Sequence, residues 1–148
     1  MADEELLRAK KKAMSLLQHN DRTEWQLRDK LMRSGFSEEA VENAIEYVRS
    51  FHYIDDERYA VRFVEIYHET RSIKRLKQDL YKRHISDELI EIAIENINND
   101  DSAALNHEIE RIGQNLETMT YEEKQKVAAK LFRKGFRMGD IMEKLREC

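Results

Sequence analysis

Proline is absent from the 148 residues, glycine occurs four times and cysteine once. Strand-rich folds need more turn punctuation than that, whereas helices are interrupted by both proline and glycine and gain from their scarcity. A single cysteine, Cys148, can build neither a disulfide framework nor a thiolate metal site, and it is read as incidental. No apolar run approaches the roughly 20 residues of a membrane-spanning helix. The opening Met-Ala-Asp-Glu-Glu is also the wrong start for a signal peptide, so a cytoplasmic location without membrane contact is expected. What is present, 41% hydrophobic and 38% charged residues with a formal net charge of −4, describes an all-α chain with a densely charged surface.

One pattern occurs three times. Leu27-Arg-Asp-Lys-Leu31-Met-Arg-Ser-Gly35-Phe36, Leu76-Lys-Gln-Asp-Leu80-Tyr-Lys-Arg-His84-Ile85 and Val127-Ala-Ala-Lys-Leu131-Phe-Arg-Lys-Gly135-Phe136 share apolar anchors, a basic end and a helix breaker. Each copy runs on into a second apolar series, Val41 and Ile45, then Ile90 and Ile94, then Ile141 and Leu145. The copies are 49 and then 51 residues apart. Such a period marks a tandem helical array, in which stacked units cover one another's apolar faces. The expected architecture is three tandem three-helix repeats, 1–52, 53–99 and 100–148, forming an elongated curved array.

Caps and apolar spacing divide each repeat. The first helix runs from about Glu4 to His19; Thr23 caps the second, Gly35 ends it, and Ser37 starts a third that reaches about Ser50. Asp55, Ser72 and Ser86 open the helices of the second repeat. The third begins near Asp101-Ser102, carries Thr120 and Glu123 as a capping box and closes with a helix from about Met138. His84 stands where the other repeats have glycine. A left-handed cap there costs a histidine about 1 kcal/mol relative to glycine.

Charge is sorted by helix. Arg71 to Arg83 holds six basic residues and one aspartate, and Lys124 to Arg137 holds six and no acid, whereas Glu38 to Glu57 and Asp87 to Glu110 are almost wholly acidic. At 100° per residue, Ile73, Leu76 and Leu80 fall within about 60° of one another, with Arg71, Lys74, Arg75, Lys82 and Tyr81 opposite. Lys126, Lys130 and Arg133 likewise oppose Val127 and Leu131. Met32, Tyr81 and Phe132 recur at one outer position, joined in the first repeat by Trp25. A basic last turn also complements the helix dipole, and bulky outer residues also pack between repeats. Sorted charge across two repeats nonetheless makes Arg71, Lys74, Arg75, Lys82, Lys126, Lys130 and Arg133 the candidate ridge for an anionic polymer or an acidic protein groove.

Catalytic constellations are missing. Asp55-Asp56-Glu57 suits a helix N-terminus better than a metal cluster. The five histidines show no metal-ligand spacing on one helix, and no glycine-rich phosphate loop occurs. The expectation is a protein without enzymatic activity, metal or cofactor.

Thr23-Glu24, Leu27, Lys30-Leu31 and Gly35-Phe36, followed by Tyr53-Ile54-Asp55-Asp56-Glu57-Arg58-Tyr59-Ala60, resemble the RecX family of recombinase regulators. The stretch from Ile73 to Ile85 and the tail Phe132-Arg-Lys-Gly135-Phe136 with Asp140-Ile141 extend the resemblance to nearly the whole chain. His52 and His84 depart from it, since the family usually has glycine at both. The resemblance implies a monomer that binds the RecA filament along its helical groove and suppresses its ATPase and strand exchange in recombination, DNA repair and the SOS response. Weak binding to single- or double-stranded DNA is implied for some members. A helical protein that binds DNA or RNA directly, and a protein-only adaptor, are the competing readings. Only the former should bind naked nucleic acid with a steep salt dependence.

Overall fold

Side-chain oxygens set the helix starts. In the computed structural model, which describes residues 2–113 and 116–146, Thr23, Ser37, Asp55, Ser72, Ser86 and Thr120 each accept the backbone N–H three residues on. Thr23 with Gln26 and Thr120 with Glu123 complete capping boxes. Such a side-chain acceptor is worth about 1 kcal/mol per helix. The helices are α1 (Ala2–His19), α2 (Glu24–Arg33), α3 (Glu38–Ser50), α4 (Asp56–Tyr67), α5 (Ile73–Lys82), α6 (Asp87–Glu95), α7 (Ser102–Ile112), α8 (Tyr121–Arg133) and α9 (Met138–Arg146). No strand occurs among the described residues. Cys148 lies outside them.

The buried side chains fall into three clusters, one for each consecutive trio of helices. Leu27, Leu31, Val41, Ile45 and Val48 close on Ala9 and Ala13 of α1, and Ile54 from the following connector joins this core. Leu76, Leu80, Ile90 and Ile94 close on Ala60, Phe63 and Val64 of α4. Leu131, Phe136, Ile141 and Leu145 close on Ala104 and Leu105 of α7. The recurring anchors Leu27, Leu31, Ile45, Leu76, Leu80, Ile94, Leu131 and Ile141 are all buried. Full burial of one such side chain stabilises by about 1.5 to 3 kcal/mol, so the repeated spacing is what places each core.

Each second helix ends on a left-handed residue: Gly35 at φ 92°, His84 at φ 59° and Gly135 at φ 107°. The chain then reverses, and Ile85 and Phe136 donate their N–H groups to Leu80 O and Leu131 O, both at 3.3 Å. His52, the other departure from the family glycines, also has a positive φ, 57°. Gly135 is constrained twice, because a Cβ there would stand 2.6 Å from Ser72 Oγ and 2.8 Å from Lys74 Cβ.

The repeats are joined by a recurring set of contacts that links the start of one second helix to the repeat after it. At the first junction the opening N–H of α2, on Glu24, donates to Asp56 Oδ1 at 2.8 Å. At the second junction the opening N–H of α5, on Ile73, donates to Asp101 Oδ2 at 3.0 Å. Both acids stand at the head of the next repeat's first helix. Asp55 therefore caps its own helix while its neighbour Asp56 caps another, which accounts for the paired acids of the Tyr-Ile-Asp-Asp string. The left-handed caps complete the pattern. His84 stacks on Trp25 with ring centroids 4.0 Å apart and planes 14° from parallel. One repeat later, Gly135 lies against Ser72 and Lys74, and Ser72 Oγ donates to Lys134 O at 2.6 Å. Lys74 occupies the register of Trp25 one repeat on. A bulky pair at one junction thus corresponds to a glycine against a lysine stem at the other.

Candidate partner interface

The structure separates the seven candidate cations into two groups. Lys74 and Lys82 on α5, and Lys126 and Lys130 on α8, are exposed and make no ion pair among the described residues. Tyr81 on α5 is 69% exposed and Phe132 on α8 54% exposed. The outer position shared by these two rings therefore points into solvent rather than into a repeat junction. Four exposed cations and two exposed aromatic rings are thus carried by the second helices of successive repeats.

Arg75 and Arg133 are exposed as expected but line a cleft at the second junction, and Arg71 is half-buried there. Arg71 precedes the first turn of α5, so its angular placement on the outer face of that helix does not apply. Its half-buried guanidinium lies 3.9 Å from the Tyr67 ring centroid and donates to Asp79 Oδ2 at 2.8 Å. Arg75 Nε reaches the same carboxylate at 3.1 Å. Asp79, the one acid in its basic window, is buried and holds both. Arg83 adds to the network by bonding Tyr59 Oη at 3.0 Å and lying over Phe63. The expected solvent-facing role of Arg71 is thus replaced by a packing role. The spacing of Asp79, four residues after Arg75 and eight after Arg71, was the available signal. Arg133 is exposed, carries no ion pair among the described residues, and shares a cleft with Arg71 and Arg75 at the second junction.

In the first repeat the sorted charges neutralise one another across helices. Arg28 Nε donates to Glu42 Oε1 at 2.7 Å, and Arg49 pairs with Glu24 and, at 2.8 Å, with Glu46. The Arg28 hydrogen bond holds the Glu42 carboxyl below its usual range. Burial pushes the Asp56 carboxyl above its usual range, and the nearby charges of Glu24 and Asp55 add to this against the opposing Glu24 N–H bond. Arg28 and Arg49 are thus neutralised within the first repeat, while Arg8, Lys11, Lys12 and Lys30 of that repeat stay exposed without an ion pair among the described residues.

One exposed cluster escaped the sequence analysis. Tyr47, Phe51 and Tyr53 at the end of α3 pack ring on ring at centroid distances of 5.1 and 5.6 Å, and Lys10 of α1 lies over Tyr47. The spacing of four and then two residues was visible, but only the turn after α3 brings Tyr53 back to Phe51. Among the described residues no three His, Cys, Asp or Glu side chains gather as a metal site would require, and no helix is long and apolar enough to cross a membrane.

Residues 9–47 match the family model for the first three-helix domain of RecX, and residues 55–94 match that for the second. A protein named Regulatory protein RecX from Caldanaerobacter subterraneus subsp. tengcongensis is 36% identical over 140 residues, covering 93% of this chain and 68% of the relative. The chain belongs to the RecX family. A RecX protein of the same description from Clostridium perfringens is 25% identical over 131 residues, and the chain spans 62% of that relative's length. The crystal structure of RecX from Lactobacillus salivarius superposes with a TM-score of 0.84 at 23% identity, covering all of both chains. That likeness includes the third trio of helices, and so places α7 to α9 within the RecX fold.

Proposed function

We propose that this chain regulates the RecA recombinase by occupancy. It binds the RecA filament in the cytoplasm as a monomer, bridges neighbouring protomers through its three repeats, 1–52, 53–99 and 100–148, and inhibits ATPase and strand exchange without chemistry of its own. The observation that carries this reading is the set of exposed cations Lys74, Lys82, Lys126 and Lys130, without ion pairs among the described residues, together with exposed Tyr81 and Phe132 on successive repeats of a RecX-family chain. Unpaired lysines add little to the fold, but across two repeats they add up to a surface potential that suits DNA phosphates or acidic groups in a filament groove. Attachment at several protomers gives avidity without one strong contact, because each later attachment is intramolecular.

The test compares filament binding with naked-DNA binding over a range of salt. Replacing Lys74, Lys82, Lys126 and Lys130 together by Ala removes no ion pair among the described residues, so the changes at Lys82, Lys126 and Lys130 should each cost less than about 0.5 kcal/mol of stability, while Lys74→Ala also shortens the stem that packs against Gly135. Filament affinity should fall more than about 10-fold at low salt, and the loss should shrink as salt rises. Equal binding of filaments and naked DNA would favour the direct nucleic-acid reading. Unchanged filament binding by the quadruple variant would remove the ridge from the interface.

A further inference from the structure

The second junction holds a cleft of about 450 Å³ whose walls carry Arg71, Arg75, Arg111, Arg133 and Lys134, with Glu108 as the one acid among its lining residues. They come from three places: the start of α5, the end of α7, and the end of α8. The two carboxylates associated with these cations are both buried. Asp79 does not line the cleft and holds Arg71 and Arg75 from α5. Glu108 accepts from Lys134 Nζ at 2.6 Å and lies 3.5 Å from Arg111 Nη1. Four of the five cations are thereby fixed in position by acids that offer little surface to solvent, and Arg133 has no ion pair among the described residues. Five cations served by two carboxylates around a concave polar space repel one another unless an anion enters. Guanidinium forks are shaped for the paired oxygens of a phosphate. A single phosphate is small beside this volume, which lies in the range of whole ligand sites.

We propose that this cleft is a phosphate-binding site that accepts several adjacent phosphates, supplied either by a free polyphosphate chain, as on a nucleotide, or by a nucleic-acid backbone. The site goes beyond the filament reading, which rests on the outer lysines, and it is tested without any recombinase, so the two can fail separately. Its walls belong to two repeats, so a bound anion ties them together and should raise the melting temperature logarithmically with ligand concentration above its Kd.

The experiment uses the full chain at low salt with two probes, tripolyphosphate followed by calorimetry and a labelled oligothymidylate followed by fluorescence anisotropy. Arg111→Ala with Arg133→Ala is the test variant, and Lys11→Ala with Lys12→Ala, exposed on α1 and outside the cleft, is the control. One lost charge-assisted hydrogen bond corresponds to roughly 10-fold in affinity. The test variant should therefore bind either probe at least about 10-fold more weakly, and the control should bind tripolyphosphate like the parent. Binding of both probes, each displacing the other, supports a site open to either source. Binding of tripolyphosphate alone assigns it to a free polyphosphate, and of the oligonucleotide alone to a strand. Should the double variant fold poorly, Arg133→Ala alone, which has no ion pair to lose, must show the loss and must abolish the rise in melting temperature. Failure of both probes to bind the parent, or equal binding by parent and variant, overturns the proposal.

Discussion

Asp101→Ala removes the carboxylate that bridges the second and third repeats. In the parent, Asp101 Oδ2 accepts the Ile73 N–H at 3.0 Å in a buried setting, and the Asp101 side chain makes no capping bond to its own helix. The substitution therefore leaves its home helix without a lost cap and takes the acceptor from the first N–H of α5. A hydrogen bond to a charged acceptor contributes about 1.5 to 3 kcal/mol, and a carboxylate at a helix N-terminus gains a further fraction from the dipole. The loss should therefore be about 2 to 3 kcal/mol. For a chain of this length that corresponds to roughly 4 to 12 °C in melting temperature. Asp101→Asn keeps an oxygen acceptor without the charge and should lose about half as much. Urea denaturation followed by circular dichroism measures both, and hydrogen exchange at the Ile73 amide reports the bond itself. Equal stability of the parent, Asn and Ala proteins, with unchanged exchange at Ile73, would refute the bridging role.

Two further outcomes follow from single contacts. His84→Gly relieves about 1 kcal/mol of left-handed backbone cost but gives up a ring stack of about 0.5 to 1.5 kcal/mol, so its stability should stay within about 0.5 kcal/mol of the parent. His84→Ala keeps the strain and loses the stack, and should be destabilised by about 1 kcal/mol; Trp25, the only tryptophan, reports the lost stack in both through its fluorescence. Because the Arg28 hydrogen bond lowers the folded-state pKa of Glu42, its stabilisation is present above the ordinary carboxylate value of 4.5 and disappears as pH falls through the lowered one. Glu42→Gln should thus cost up to about 1 kcal/mol at neutral pH and nothing in strong acid, as measured by urea midpoints across that range.

The repeats were legible because apolar anchors and caps are local signals. Leu76 and Leu80 needed only helical spacing to be placed in a core, and Ser72 only its position before an apolar series. The two junctions were not legible, since Asp56 and Asp101 act on helices 32 and 28 residues away in sequence. His84 could be read as a misfit among glycines, but its reason, the Trp25 ring, lies in another repeat. The candidate ridge was half legible. Angular position placed Lys74, Lys82, Lys126 and Lys130 on the outside, but it assumed that Arg71 was already helical and could not see Arg111, Arg133 and Lys134 converge with Arg71 and Arg75 on one cleft. Periodicity reads one helix at a time, and a cleft is made by several.

If this chain restrains a recombinase filament by occupying it, ATP hydrolysis by that filament must fall as the protein is added. Titration of the protein into a DNA-dependent ATPase assay of RecA measures this. Occupancy requires a saturable fall in hydrolysis that completes at a fixed ratio of protein to filament sites and weakens for the Lys74, Lys82, Lys126 and Lys130 quadruple variant. ATP hydrolysis that stays constant up to a molar excess of well-folded protein would contradict it.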